Sequence, residues 1–217
     1  MSRVELVHAS SPDLMDTIAY IARVSNPAGQ NNGKTGERLI RYMVREGHWS
    51  PFEMVNICLE IDTTRDIARQ ILRHRSFSFQ EFSQRYSNVD VLGEVTYREA
   101  RGQDLKNRQN SVRMEDAHIH EEWREKQEVA WLSANDSYKW ALGQGIAKEQ
   151  ARAVLPEGMT NSRLYMNGTV RSWIHYVKLR SGNGTQLEHR EVAIECAQRI
   201  SPVFPMIMDF VEADEDD

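Results

Sequence analysis

Between Val55 and Ile61 the chain alternates: Val55, Ile57, Leu59 and Ile61 are apolar, and Asn56, Cys58 and Glu60 stand between them. A period of two places one set of side chains on one face of a strand. The stretch therefore reads as a half-buried β-strand. A helix follows at once, with Thr63 and Asp66 as a capping-box-like start. That helix delivers the run Arg73-His74-Arg75. A strand feeding a helix calls for a fold that mixes both.

The other elements read more loosely. Ser11-Pro12-Asp13 suggests a cap followed by a first-turn proline, and Leu14, Ile18, Ile21 and Ala22 form one apolar stripe. A helix is expected from Thr35 to Glu46, with Leu39, Ile40 and Met43 inward and Gly47 as its stop. Ser87 to Asp116 is long, polar and aperiodic, the character of a functional or partner-covered loop. Helical period returns from His120 to Leu142, with Trp123, Trp131, Leu132 and Trp140 as bulk and Gly143 as the end. A short helix from Ala147 to Leu155 stops at Pro156, and Leu164 to Met166 reads as a strand edge. Thr169 to Arg180 is expected as a helix with Trp173, Ile174 and Val177 inward. Thr185 and Glu188 mark another capping box, opening a helix to Ile200. The economical fold class is α+β, a helix-rich domain over residues 1–211 around a small mixed or antiparallel sheet.

Charge is concentrated rather than general. Of the last six residues, 212–217, five are acidic, so the formal charge of −5 belongs to the tail and the body is near neutral. Bulk polyanion binding is not favoured by that balance. Cys58 and Cys196 read as buried thiols rather than a disulfide, which fits a reducing cytoplasm. No stretch has the apolar length of a membrane span.

The chemistry gathers on two arginine groups. Arg65, Arg69 and Arg73 are spaced by four on one helix face, and for the first two a solvated basic face is the plainer reading. Arg73, Arg75 and Arg85, with Ser83 between them, suit phosphate oxygens, because a guanidinium stays charged and donates two parallel hydrogen bonds. Glu81 in the same run is out of place in a purely electrostatic anchor. The second group is Arg152, Arg171, His175 and Arg180, with Arg171 and His175 one turn apart. Gly33-Lys34-Thr35 lacks the earlier glycine of a phosphate loop, since position 28 is Ala28. His118 and His120 beside Glu121 read as surface histidines, and no metal site is expected.

Arg73-His74-Arg75, seven residues and then Ser83 resemble the signature of the flavin-dependent thymidylate synthases. The likeness extends through Ala22 to Ser25, Gly47 to Glu53, Ala68 to Gln70, Glu149 to Pro156 and Arg171 to Arg180, in family order. The Gln103 to Ser111 stretch is similar to a loop of some viral members. The resemblance implies that dUMP is converted to dTMP, with methylenetetrahydrofolate as carbon donor and reduced FAD, recharged by NADPH, as hydride donor. It implies FAD contacts from Ser50, Arg73, His74, Arg75, Glu81, Arg171 and His175. It implies dUMP contacts from Gln70, Arg73, Glu81, Ser83, Arg85, Arg152 and Arg180, with Arg180 favouring negative charge on the uracil ring. A homotetramer with sites shared between subunits follows from the same resemblance, as does a cytoplasmic setting, the host's for a viral member. Thr169 stands where many members have asparagine, and Ser50 where some have threonine.

A non-catalytic alternative is single-stranded nucleic-acid binding through the Arg65 to Arg85 face, with Phe77, Phe79 and Phe82 stacking on bases. The neutral body and Glu81 argue against it.

Overall fold

The alternating stretch sits inside a sheet. In the computed structural model, which describes residues 2–212, four strands pair in the order β1-β2-β6-β3: β1 (Arg3–Ala9), β2 (Asn56–Thr64), β6 (Asn161–Thr169) and β3 (Ser78–Glu81). All three pairings are antiparallel, so the mixed alternative falls away. A separate hairpin joins β4 (Arg101–Gln103) to β5 (Ser111–Arg113). It occupies the segment expected to be a bare loop.

One face of the sheet is dry and the other wet. Ile57, Leu59 and Ile61 of β2 and Leu164 and Met166 of β6 are fully buried. On the wet face, Arg163 grips Asp62 through two hydrogen bonds of 2.6 and 2.7 Å, and Tyr165 donates to Glu60 at 2.6 Å. The strand at Leu164–Met166 is not an edge, since β6 lies between β2 and β3.

The dry face is covered by helices. These are α1 (Leu14–Ala22), α2 (Gly36–Arg45), α3 (Arg65–Ile71), α6 (Val170–Arg180) and α7 (Leu187–Ile200). Trp173, Tyr176, Phe52 and Phe204 are the bulkiest buried side chains with Tyr138, and Trp173 Nε1 donates to the Ile57 carbonyl at 3.0 Å. Burying each such side chain contributes about 1.5–3 kcal/mol, so this aromatic layer fixes α6 against β2.

Helix boundaries need small corrections. Asp13 caps α1 by accepting from the Asp16 backbone N–H at 2.9 Å, which leaves Pro12 outside the first turn. Thr64, not Thr63, is the N-cap position of α3, and its hydroxyl donates to Asp66 at 2.6 Å instead of capping a backbone amide. Gln186 precedes α7, and Thr185 makes no capping bond there. Helix α4 (Ala117–Gly143) runs through Gly143, and the chain turns at Gly145, whose φ of 78° suits glycine. Most of its bulk faces outward, with Trp123 44%, Leu132 52% and Trp140 64% exposed, while Trp131 is half-buried. Its C-terminal half packs, through Tyr138 and Ala141, on Val89, Leu155 and the short helix α5 (Lys148–Ala151), and further up the buried Gln127 exchanges two hydrogen bonds of 2.9 Å with the Arg98 backbone.

Cys58 and Cys196 are buried free thiols, as expected. Of the acidic tail, Glu212 donates its backbone N–H to Ser181 Oγ at 2.9 Å, and residues 213–217 lie outside the described residues. Among the described residues no helix is long and apolar enough to cross a membrane.

Candidate functional site

Helix α3 ends in a turn that exposes the cationic run. The Arg73, His74 and Phe77 amides donate to the Gln70, Ile71 and His74 carbonyls. Phe77 closes the turn by inserting beside Trp173, with ring centroids 4.9 Å apart, and over Gly168 of β6. A Cβ on Gly168 would lie 2.4 Å from the Phe77 ring, so the close approach requires glycine there. The anchored ring leaves Arg73 and Arg75 exposed on either side of a half-buried His74.

The two ends of the sequence motif set meet at His74. Arg180, the last residue of α6, donates Nε–H to His74 Nε2 at 2.9 Å. Accepting that bond keeps the imidazole neutral. Burial lowers its pKa to about 4, and the Arg180, His175 and Arg73 charges add to the effect. Behind it lies a second histidine. His189 of α7 is fully buried, with Nδ1 3.2 Å from Gln70 Oε1 and Nε2 3.2 Å from the Tyr176 hydroxyl. Burial lowers its pKa to about 3, with Arg180 contributing. Arg180, expected against dUMP, thus meets His74, expected against FAD, and Gln70 is tied to His189, whose ring centroid lies 6.4 Å from that of His74.

A second cluster forms across β3 and β6. Glu81 accepts from Ser162 Oγ at 2.9 Å and faces Arg65 at 3.8 Å and Arg69 at 3.6 Å. Both arginines also reach Glu157, at 3.7 and 3.4 Å. Arg65 is only 6% exposed, so the solvated-face reading fails for it. Burial lowers its pKa, Glu81 opposes this, and the nearby Arg69 and Arg152 charges add to the lowering. Ser83 Oγ accepts from the Arg85 amide at 3.3 Å, and Arg85 reaches Glu149 at 3.3 Å. Arg152 joins this cluster through its charge on Arg65, and Ser83 and Arg85 follow Glu81 along the chain toward Glu149.

The third group lies at the other end of β6. Arg171 pairs with Glu53 in the 3-10 turn Ser50–Glu53, which also carries Ser50. His175 is exposed one turn further along α6. Thr169 is the cap of that helix, accepting from the Ser172 amide at 3.2 Å, so its hydroxyl has a structural task.

His189, Tyr176 and Gln186 are not among the residues the sequence singles out, and Asp66 and Glu188, expected as parts of helix caps, instead hold arginines. Arg98 clamps Asp66 through bonds of 2.8 and 2.7 Å, and Arg101 donates to Glu188 at 2.6 Å. The only available signal was polarity at the start of α7, where Gln186, Glu188 and His189 look like ordinary surface positions. The hairpin, the start of α4 and residues 183–190 enclose a cavity of about 1160 Å³. His120 on its wall is bonded through Nε2 to the Met114 carbonyl.

The stacking platform of the nucleic-acid alternative loses two of its three rings, Phe77 and Phe79. Phe77 is 9% exposed and packed on Trp173 and Tyr176, and Phe79 is half-buried against the core.

Residues 5–206 match the family model described as thymidylate synthase complementing protein. A flavin-dependent thymidylate synthase of Synechocystis sp. is 50% identical over 190 residues, covering 88% of this chain and 86% of the relative. The chain belongs to the flavin-dependent thymidylate synthase family. A "probable flavin-dependent thymidylate synthase" of Paramecium bursaria Chlorella virus 1 is 47% identical over 192 residues, 88% of each chain. Among solved structures, the UMP/dUMP methylase PolB from Streptomyces cacaoi, bound with 5-Br dUMP, superposes with a TM-score of 0.81 at 27% identity. That match covers 97% of this chain and 94% of the other.

The donor set fits the flavin nucleotide that the family name implies. Arg73 and Arg75 are exposed and, among the described residues, form no ion pair. Two such forks on one turn match the oxygens of a diphosphate. Neither thiol is poised as a nucleophile, since burial pushes Cys58 and Cys196 upward in pKa.

Proposed function

We propose that this flavin-dependent thymidylate synthase methylates dUMP to dTMP, with methylenetetrahydrofolate giving the carbon, reduced FAD the hydride and NADPH the reducing power. The observation that carries this reading is the Arg180–His74 contact beside Gln70. It fixes one guanidinium by its Nε and leaves the two Nη groups without a protein partner among the described residues.

Arg180 then has one task. Uracil must accept negative charge as its ring is reduced, and a guanidinium about 4 Å away contributes about 4 kcal/mol at an effective dielectric of 20. Neutral His74 holds the fork without competing for that charge. Gln70 supplies amide hydrogen bonds to the base. Ser83, Arg85 and Arg152 hold the dUMP phosphate, with Arg73 and Glu81 completing the nucleotide's contacts. Among the described residues no base is hydrogen-bonded to Ser83 Oγ, so phosphate binding suits it better than nucleophilic attack. Arg73, His74, Arg75 and Glu81 hold FAD together with Ser50, Arg171 and His175.

Residues for one dUMP are divided between two clusters of the chain. A homotetramer whose subunits each lend one cluster reunites them, and the outward Trp123, Leu132 and Trp140 supply apolar surface for such contacts. The setting is the cytoplasm.

The deciding assay uses purified protein. Yellow flavin absorbance bleached by NADPH, with tritium release from 5-tritiated dUMP when methylenetetrahydrofolate is present, is the expected result. Colourless protein that refuses FAD and leaves dUMP untouched overturns the reading.

A further inference from the structure

A single line of hydrogen bonds runs from the hairpin to the core, and its direction is fixed at every link. Glu188 is its origin. Burial raises the pKa of this carboxyl, but the bonds from Arg101 and Gln186 outweigh that and bring it below the ordinary value, so it accepts only. Gln186 must therefore turn Nε2 toward Glu188, at 2.9 Å, and Oε1 toward Gln70. Gln70 in turn gives Nε2–H to Gln186 at 2.7 Å and presents Oε1 to His189. An amide oxygen cannot donate, so His189 Nδ1 carries the proton. His189 Nε2 is then left with a lone pair, and the Tyr176 hydroxyl donates to it. Reversing any amide or the imidazole tautomer would set two donors or two acceptors face to face.

We infer that His189 is a positioning residue for dUMP binding: as the neutral Nδ1–H tautomer it locks the Gln70 amide in one orientation, with Gln186 and the Arg101–Glu188 pair fixing the opposite side. The inference rests on the reading of Gln70 as a dUMP contact. With one N–H spent on Gln186 and one lone pair on His189, Gln70 offers the base one remaining N–H and one lone pair in a set direction. An amide free to flip loses that selectivity, because the alternative face presents the wrong partner. Tyr176 and His189 are both fully buried, so water does not replace either partner cheaply.

The test separates the two sides of the imidazole. Asn places its amide nitrogen near the position of Nδ1 and keeps the donor to Gln70, whereas Gln reaches the position of Nε2 and keeps only the Tyr176 side. In the flavin-loaded holoenzyme, His189→Leu is expected to raise the dUMP KM about tenfold, the worth of one hydrogen bond, with kcat changed little. His189→Asn is expected to restore most of the loss and His189→Gln to restore little. Equal KM values in wild type and a folded His189→Leu overturn the inference, as does rescue by Gln rather than Asn. Gln70→Ala serves as the control. If its KM is unchanged, the substrate reading of Gln70 falls, and the positioning role with it; if its KM rises while that of His189→Leu does not, the positioning role alone falls. Should the variants not fold, 15N-histidine spectra of the wild-type holoenzyme still decide. A His189 resonance pair of the Nδ1–H tautomer is expected between pH 6 and 8, and the Nε2–H tautomer or an imidazolium there overturns the inference.

Discussion

Arg180 Nε and His74 Nε2 are 2.9 Å apart, which ties the end of α6 to the middle of the turn that follows α3. The two residues are 106 positions apart in the chain. The bond orients the guanidinium plane and keeps a second positive charge out of its vicinity.

Arg180→Lys is expected to reduce kcat by about two orders of magnitude, since an ammonium keeps the charge but loses both the Nε–H to His74 and the planar pair of donors. Flavin absorbance of the purified variant is expected to match the wild type. Steady-state rates read alongside the visible spectrum check both halves, and loss of the flavin would assign Arg180 to cofactor retention instead.

Ser83→Ala is expected to keep most of its turnover while the dUMP KM rises about ten- to a hundredfold, the range for a hydrogen bond to a charged group. Isothermal titration with dUMP measures the same loss directly. Abolished turnover with intact dUMP affinity would make Ser83 a chemical participant.

Gly168→Ala is expected to destabilise the protein by about 1–3 kcal/mol, because a new Cβ collides with the Phe77 ring. For a chain of this length that corresponds to roughly 2–12 °C in Tm. Combining it with Phe77→Leu, which withdraws the colliding ring atoms, is expected to recover part of the loss in a thermal melt.

Stability is expected to fall as pH drops from about 6.5 toward 4. His74 and His189 have folded pKa values of about 4 and about 3, below the unfolded value near 6.5. Above that unfolded value neither state binds a proton there, and the stabilisation is complete. Below it the unfolded chain takes up protons that the folded one refuses until its own pKa is reached, so acid favours unfolding. Carboxylates titrate in the same window, so the measurement is urea unfolding of wild type against His189→Asn. The variant is expected to have the shallower pH slope.

What the sequence disclosed, and what it concealed, has a common physical reason. Strand β2 is legible because its fully buried positions are Ile57, Leu59 and Ile61. Strand β6 alternates just as regularly, with Ser162, Leu164, Met166 and Gly168 buried, but a serine and a glycine at the ends hide the period. Only its middle was recognised. The β4–β5 hairpin has no apolar face at all and is held by Arg101 to Glu188 and by Asn110 to Asn183, contacts invisible without the fold. The apolar residues of α4 mark the helix but overstate its core, since Trp131 packs on the small cluster around Tyr138 while Trp123 and Trp140 face outward. At the site, Arg180 meets His74, and Gln70 is tied to His189 beside them. Arg65 reads as solvated in the sequence because its partner Glu81 comes from strand β3, and a lone helical histidine such as His189 carries no mark of its partners.

Gly168 has a further meaning for how this chain can vary. The arginine turn is seated in a notch left by a side chain that does not exist, and the notch is cut into a neighbouring strand. Drift at an unremarkable strand position would therefore be felt first as a displaced ligand turn, well before the sheet itself came apart.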